Sequence, residues 1–287
     1  MLKIEMPRKE LTIAPEVTVG NRTRFSTATA VAFINENLLL SAAFNSKKIY
    51  LIELTENGHN ILQEVKTQHC PDLMKYKNGV ILTSDYPHGE PNGHASIYDF
   101  VNGRIVFRKE IPVVNTKVHG CEIVDKDTII VTSNSDHNRG IMFLNVANDA
   151  LKQNFNSLQH YPKDVCIVGD YLFTVCAASL PQIGKTTVIR ESIIYVFDKN
   201  TLEKIDEATF HGQTDSIVVS GEDGFITIQG DDEVLHFKFV DNKLSIIKRI
   251  GGFSFPHGID CKNGKVAITN YGDNTIRIFT LDELKNL

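Results

Sequence analysis

The chain has no tryptophan, few cysteines and no long apolar run. Each absence removes a class of protein. Without tryptophan no Trp-Asp dipeptide can occur, which disfavours a WD-repeat protein. The five cysteines form no CxxC pair and no framework, as in a reducing compartment. No stretch approaches the roughly 18 apolar residues of a membrane span. The opening MLKIEMPRKELTIAP has scattered charges and no apolar h-region, so it does not read as a secretory signal. A cytoplasmic protein is expected, in which Asn-Arg-Thr at Asn21 has no meaning as a glycosylation site. Net charge is −5 with no run of like charges, which argues against a nucleic-acid partner. There is no HExxH. IGKTT (183–187) has Ser179 where a phosphate loop needs its first glycine, so no nucleotide cofactor is expected. Sustained helical periodicity is missing too, apart from one turn in the closing LDELKNL.

What the sequence has instead is a repeat. A β-rich segment running into a turn occurs six times, as KIYLIELTENG (48–58), ASIYDFVNG (95–103), GIMFLNVAND (140–149), SIIYVFDKNT (192–201), VLHFKFVDN (234–242) and TIRIFTLDE (275–283). This is the chemistry of a strand followed by a hairpin. With Glu53, Asp99, Asn145, Asp198, Val240 and Thr280 taken as equivalent, the spacings are 46, 46, 53, 42 and 40 residues. Periods of that size suit four-stranded propeller blades. Upstream of each segment lie two more short apolar runs split by a polar turn, as in DLMKYKNGVILTSDY (72–86). A more polar fourth segment follows in five units, as an outer edge strand should be. The sixth unit stops at Leu287 without one, and residues 1–24 are left to supply it. The expected fold is all-β: a six-bladed β-propeller of four-stranded antiparallel blades, closed by an N-terminal strand completing the last blade. No linker interrupts it, so 1–287 reads as a single domain, with blades at 25–68, 69–114, 115–158, 159–210, 211–251 and 252–287. SLPQIGKTTVIRES (179–192) lengthens the fourth blade and reads as a protruding loop.

FPHGIDCKNGKVAITNYGDNTIRIF (255–279) resembles a blade of the propeller group that includes NHL-repeat proteins, streptogramin B lyases and gluconolactonase-like lactonases. Pro256, His257, Gly258 and Ile259 carry the resemblance, with Thr269, Asn270, Tyr271, Gly272, Asp273 and Asn274. HGCEIVDKDTIIVTSNSD (119–136) is a second, looser copy. The resemblance implies the six-bladed fold. It implies an activity less directly, because the fold hosts enzymes and binding scaffolds alike.

Chemistry is expected where the inner strands begin, around one end of the central channel. Histidines precede five blades: His69, His119, His160, His211 and His257. Only His119 and His257 stand directly before a glycine, so these two are placed alike near the axis and are the candidate catalytic residues. Lys163 and Thr214 read into the same slot in the fourth and fifth blades. Asp72, Asp164 and Asp215 read as another recurring position. Two imidazoles with carboxylates nearby can hold a divalent metal or act as acid and base. In streptogramin B lyases, a channel-mouth histidine works with a metal ion and a carboxylate to open a lactone by elimination. By resemblance, His257 or His119 fills that role. Those lyases typically supply a glutamate near the end of the second inner strand, where this chain has Asn134, Gln229 and Asn270. Amides bind a metal or substrate through oxygen but cannot take a proton, and gluconolactonase-like enzymes do use asparagine oxygens on a metal. With Lys163 and Tyr271, these amides make the expected substrate-binding set. Strand parity brings Asp85, His88, Asp136 and His137 to the same mouth as expected ligands of a divalent ion (Mg, Ca, Mn or Zn). The structural alternative is that His-Gly only orders its loop and that these ligands sit in solvated turns. Two functions remain open. One is a small-molecule enzyme opening or hydrolysing an ester or lactone at the channel mouth. The other is a non-catalytic scaffold binding a protein or peptide there.

Overall fold

The computed structural model describes residues 28–56, 58–87, 91–135, 138–156, 158, 160–177 and 191–287, and the backbone of three short strands before residue 28. Six four-stranded antiparallel sheets form the blades of a propeller. The inner strands are Ala28–Phe33, Cys70–Lys77, Val118–Ile123, Tyr161–Val168, Thr214–Ser220 and Pro256–Lys262. The outer strands of the first five blades, such as Gly58–Lys66 and Lys243–Gly251, are the most exposed and the most polar. The sixth blade takes its outer strand from the N-terminus: Lys9–Thr12 pairs antiparallel with Thr275–Thr280, from Lys9 opposite Ile278 to Thr12 opposite Thr275. Among the described residues, helix is confined to a 3-10 turn at Gln229–Asp231 and to Leu281–Asn286, the latter opened by a capping box between Thr280 and Glu283. Among the described residues, no helix is long and apolar enough to cross a membrane.

The repeat segments pair as the sequence suggests, with one slip. The residue opposite the start of each second strand is Glu53, Asp99, Asn145, Asp198, Lys238 and Thr280. In the fifth blade it is therefore Lys238 and not Val240, which pairs with Lys243 at the turn into the fourth strand, as Thr55 and Val101 pair with Gly58 and Arg104 in blades one and two. Each pair of neighbouring blades shares one apolar cluster. Leu40, Ile49, Met74 and Tyr98 join blades one and two, for example, and Val31, Phe33, Ala267 and Ile276 join blade one to blade six. The ring is thus closed by the same apolar packing that separates its blades.

Every inner strand carries a β-bulge near its start. The extra residue falls between Ala28 and Ala30, Pro71 and Leu73, Val118 and Cys121, Pro162 and Asp164, Thr214 and Ile217, and Pro256 and Ile259. A bulge takes one peptide out of the ladder and re-aims one side chain. Here the freed carbonyl turns to the neighbouring blade. Thr132 Oγ1 accepts from Gly120 N at 2.7 Å and donates to Lys163 O at 2.9 Å. Thr269 Oγ1 accepts from Gly258 N at 2.7 Å and donates to Thr29 O at 3.0 Å. Thr227 does the same between Ser216 N and His257 O, and Ser84 between Leu73 N and His119 O. The two remaining junctions use other side chains. Thr29 Oγ1 donates to Pro71 O at 3.0 Å, and Asp164 accepts from Ser216 Oγ at 2.7 Å and Ile217 N at 3.1 Å.

These clasps need the strands close together, which explains the glycines of the two His-Gly pairs. A Cβ on Gly120 would stand 2.5 Å from Asp164 Cα and Lys163 O, and one on Gly258 2.5 Å from Thr29 O. Backbone cannot swing aside as a flexible side chain can. Gly120→Ala and Gly258→Ala should each lose about 1–3 kcal/mol of unfolding free energy in urea. Gly251→Ala, whose Cβ meets nothing within 4 Å, is the control. Equal stability of all three would show that the close approach is not required.

Candidate functional site

The bulge residue of each blade is Thr29, Asp72, His119, Lys163, Asp215 and His257, in ring order. All six line one cavity at the channel mouth, of about 450 Å³. Two expectations change here. The fifth-blade occupant is Asp215, not Thr214, which still pairs with Ile228 in the ladder before the bulge. Asp164 is not equivalent to Asp72 and Asp215. It lies one residue past the slot, and its carboxylate serves the clasp to blade five. The six slots therefore read Thr-Asp-His-Lys-Asp-His, a three-residue pattern used twice around the axis with Lys163 in place of the second threonine.

The ionisable members meet on the axis. His119 Nε2 stands 2.9 Å from Asp215 Oδ1 and 3.6 Å from Asp72 Oδ2. His257 Nε2 stands 2.8 Å from Asp215 Oδ2 and 3.4 Å from Asp72 Oδ1. The two imidazoles lie nearly parallel, with centroids 6.0 Å apart. Lys163 Nζ is 3.4 Å from His119 Nε2 and 3.6 Å from Asp215 Oδ1. All five side chains are at least nine-tenths buried.

The backbone sets the tautomers. His119 Nδ1 lies 3.0 Å from Lys163 O and His257 Nδ1 3.0 Å from Thr29 O. A carbonyl only accepts, so both Nδ1 atoms carry hydrogen, and Nε2 is the atom that exchanges a proton or meets a ligand. The two Nε2 atoms differ in their partners. That of His257 faces only the carboxylates of Asp215 and Asp72. Burial pulls its imidazole down, but the charge and hydrogen bond of Asp215 outweigh burial and leave it above its ordinary value. That of His119 faces an ammonium that can only donate and a carboxylate that can only accept, so it has a partner with or without its proton. Burial pushes both carboxyls up. At Asp215 the two imidazoles prevail and hold it well below the ordinary range, whereas Asp72 stays raised.

A second ring sits above this floor, at the ends of the second strands. Phe44, Tyr86, Asn134, Gln229 and Tyr271 line the cavity, with Phe255 and Lys117 at the rim. The aromatics come from blades one, two and six, and the amides from blades three and five, so one wall is apolar and the other polar. Tyr271 packs 5.6 Å from Phe255 and 5.9 Å from His257. Phe255 has a left-handed backbone (φ 48°), pinned by Asp232 Oδ1 accepting from its N–H at 2.7 Å. Asn134 Oδ1 is buried and has no hydrogen-bond partner among the described residues. Gln229 Nε2 donates to Asp215 Oδ2.

The other expected site residues lie elsewhere. Asn270 is fully buried one position before Tyr271, accepting from Ser254 N and donating to Thr275 Oγ1, and it does not line the cavity. Asp85 is also absent from the lining, its carboxylate held by the hydroxyls of Thr83 and Ser96. His88, Asp136, His137 and the loop at 178–190 fall outside the described residues. The carboxylates that join the histidines are instead Asp72 and Asp215, from inside the inner strands.

No protein-family model matches the chain, and no curated protein matches it in sequence. Among solved structures it is similar to the hydrazine synthase of Kuenenia stuttgartiensis, with a TM-score of 0.62 and 12% identity, over 88% of this chain and 82% of that one. It is similar to a protein of Lactobacillus plantarum at a TM-score of 0.60 and 13% identity, over 88% and 80% of the two chains. The Pan2 WD40 domain of Neurospora crassa gives 0.57 and 10%, over 88% and 74%. Likeness at such identity shows the propeller fold alone.

Asp85 has a consequence for stability. Burial pushes its carboxyl up to about 7, against the pull of the Ser96 and Thr83 hydroxyls. The folded chain then keeps a proton that the unfolded chain gives up near pH 3.8. Between those values the native state binds more protons, so stability falls as pH rises from about 4 to about 7. Asp85→Asn should flatten that decline, which is worth roughly 4 kcal/mol at most. Urea midpoints measured across the range check it; parallel slopes in the two proteins would refute it.

Proposed function

We propose that the axial cavity is the active site of a small-molecule hydrolase or lyase that opens an ester, lactone or similar cyclic carbonyl compound. One observation carries this reading: two Nε2 atoms and two carboxylates, all buried, meet within 2.8–3.6 Å on the floor of a cavity of about 450 Å³. Removing such groups from water costs several kcal/mol each. A scaffold that binds a partner on this face has no use for them, whereas acid–base chemistry does. The resemblance of residues 255–279 to lyase and lactonase propellers points the same way.

The residues divide the work by their partners. His257, held protonated between Asp215 and Asp72, donates from Nε2 to the leaving oxygen. His119, satisfied in either state, takes the proton from an attacking water or from a carbon beside the carbonyl. In hydrolysis the hydroxide so formed adds to the carbonyl carbon and the ring oxygen leaves with the proton of His257. In elimination the C–H electrons form the double bond as the C–O bond breaks. Lys163 places positive charge beside the developing oxyanion. The aromatic wall holds the apolar body of the substrate, and Asn134 Oδ1 accepts one of its donors.

Asp72, His119 and His257 offer ligand atoms within 4.8 Å of one another, and both imidazoles already give Nδ1–H to a carbonyl, as metal-bound histidines do. In place of the proton on His257 Nε2, the donor set fits a divalent ion, which when bound would polarise the carbonyl and acidify water.

In a screen of esters and lactones, His119→Ala and His257→Ala should each lower kcat/KM by at least about a hundredfold while the fold is retained. Unchanged turnover in both would sink this reading. Asp215→Asn should move the alkaline limb of the pH–rate profile to lower pH, because the carboxylate that holds the proton on His257 is gone. A limb that stays in place would count against His257 as the acid.

A further inference from the structure

A second group of ligating side chains stands outside the axial cavity, on the same end of blade two. His69 directly precedes the inner strand, His94 is the second residue of the third strand (Gly93–Val101) and Glu110 lies near the end of the fourth (Arg104–Val113). One carboxylate faces both imidazoles, with His69 Nε2 3.1 Å from Glu110 Oε2 and His94 Nε2 3.8 Å from Glu110 Oε1. The rings are stacked 3.7 Å apart and 9° from parallel. The three side chains are 10%, 11% and 23% exposed.

The other blades show what these positions ordinarily do. Lys48 in blade one occupies the place of His94, and Glu64 that of Glu110. They form an ion pair at 2.6 Å. In blade five the same two places hold Glu233 and Arg249, an ion pair of reversed polarity. Blade two replaces the fixed cation by an imidazole and stacks a second imidazole on it. An ion pair has no use for the second ring. Charging both rings would set two positive charges 3.7 Å apart beside a single carboxylate. One divalent cation between neutral imidazoles supplies the positive charge with neither cost.

We propose that His69, His94 and Glu110 form a second metal site, for a divalent cation of the zinc class. Their ligand atoms lie within 4.8 Å of one another. Two imidazole nitrogens and one carboxylate oxygen are a borderline donor set that suits zinc, cobalt or nickel better than magnesium or calcium. His69 lies three residues before Asp72 in the chain, so a cation held here fixes the approach to the axial ring.

The test is equilibrium dialysis of the chelator-stripped, tag-free full chain against Zn2+, with metal counted per chain. His69→Ala and His94→Lys are compared with the axial double variant His119→Ala/His257→Ala. His94→Lys restores the Lys–Glu pair of blade one, so it keeps a folded blade while removing a ligand. Far-ultraviolet circular dichroism checks the fold of each. One equivalent should be lost, or its affinity weakened by at least about a hundredfold, in His69→Ala and His94→Lys. The axial double variant should retain that equivalent. Two equivalents in the wild type, with each set of variants losing a different one, supports both sites. One equivalent, lost only in His69→Ala and His94→Lys, supports this site and removes a metal from the axial one. Stoichiometry and affinity unchanged in both blade-two variants, or no binding by the wild type, overturns the proposal.

Discussion

The bulge at the start of each inner strand is the constraint from which the rest of this propeller follows. A regular ladder would pair every peptide of the inner strand with the second strand and leave nothing to reach sideways. By dropping one residue out of register, each blade turns one side chain to the axis, and four of the six free a carbonyl for the blade before them. Four junctions use a hydroxyl of the second strand, which accepts from its own blade and donates to the next. Each such bond is modest in net value, about 0.5–1.5 kcal/mol, but an acceptor left bare at this depth costs more. The apolar clusters hold the blades together without specifying their angular offset. The clasps do specify it, and the same residues form the floor of the cavity. Ring closure and the lining of the axial cavity thus rest on the same six bulges.

The axial histidines show the coupling most directly. Lys163 O and Thr29 O each accept twice, once from a clasping threonine and once from an imidazole Nδ1. The expectation that His-Gly orders its surroundings is met, and the same arrangement turns Nε2 to the axis, where the proposed chemistry would need it. Nδ1 is spent on structure, and Nε2 is left pointing at the carboxylates. Glycine follows because a side chain there would strike the next strand, and that approach is what brings the carbonyl within reach. The floor repeats after half a turn, with Asp72 and Asp215 in one pair of slots and His119 and His257 in another. The rim does not repeat: Tyr86 stands opposite Gln229, and Asn134 opposite Tyr271. A floor with near-twofold symmetry under an asymmetric rim lets one ligand orientation be chosen by the walls while the charged groups below remain shared.

Much of the fold was legible because strand, turn and spacing repeat on the scale of whole blades. Alternating apolar runs and Asn/Gly turns survive a register error of a residue or two, as the Lys238 and Val240 slip shows. The site is less forgiving, since one residue decides whether a side chain faces the axis or the next blade. His119 and His257 were recognisable because Gly120 and Gly258 mark the bulge. Asp72 and Asp215 were not separable from Asp164, whose carboxylate clasps blade five, and Asn270 was confused with the position of Tyr271. A usable signal was present: Pro71, Pro162 and Pro256 each stand directly before the slot residue of alternate blades. Read as markers of the bulge, they align Asp72 and Lys163 with His257 without a structure. The stacked pair of His69 and His94 had no such mark, because its members lie 25 residues apart, one before the inner strand and one on the third.

Charge on the floor narrows what the cavity can hold. Two carboxylates and one ammonium leave it with one uncompensated negative charge before the imidazoles are counted. A proton on His257 closes that gap, and Asp215, kept ionised by the two rings, keeps the proton in place. A ligand that brings its own negative charge must then find its counter-charge in Lys163 and in Lys117 at the rim, both on the polar side of the cavity. A neutral carbonyl compound meets no such demand. It can set its apolar body against Phe44, Tyr86 and Tyr271 and its oxygen toward the donors below. The strained backbone of Phe255, pinned by Asp232, fits this division. An unfavourable φ at the mouth is tolerable where the ring it presents completes the apolar wall, and Tyr271 is packed against that ring from within. The cavity is therefore polar at the floor, where the proposed reaction would break bonds, and apolar along the wall that would hold a substrate.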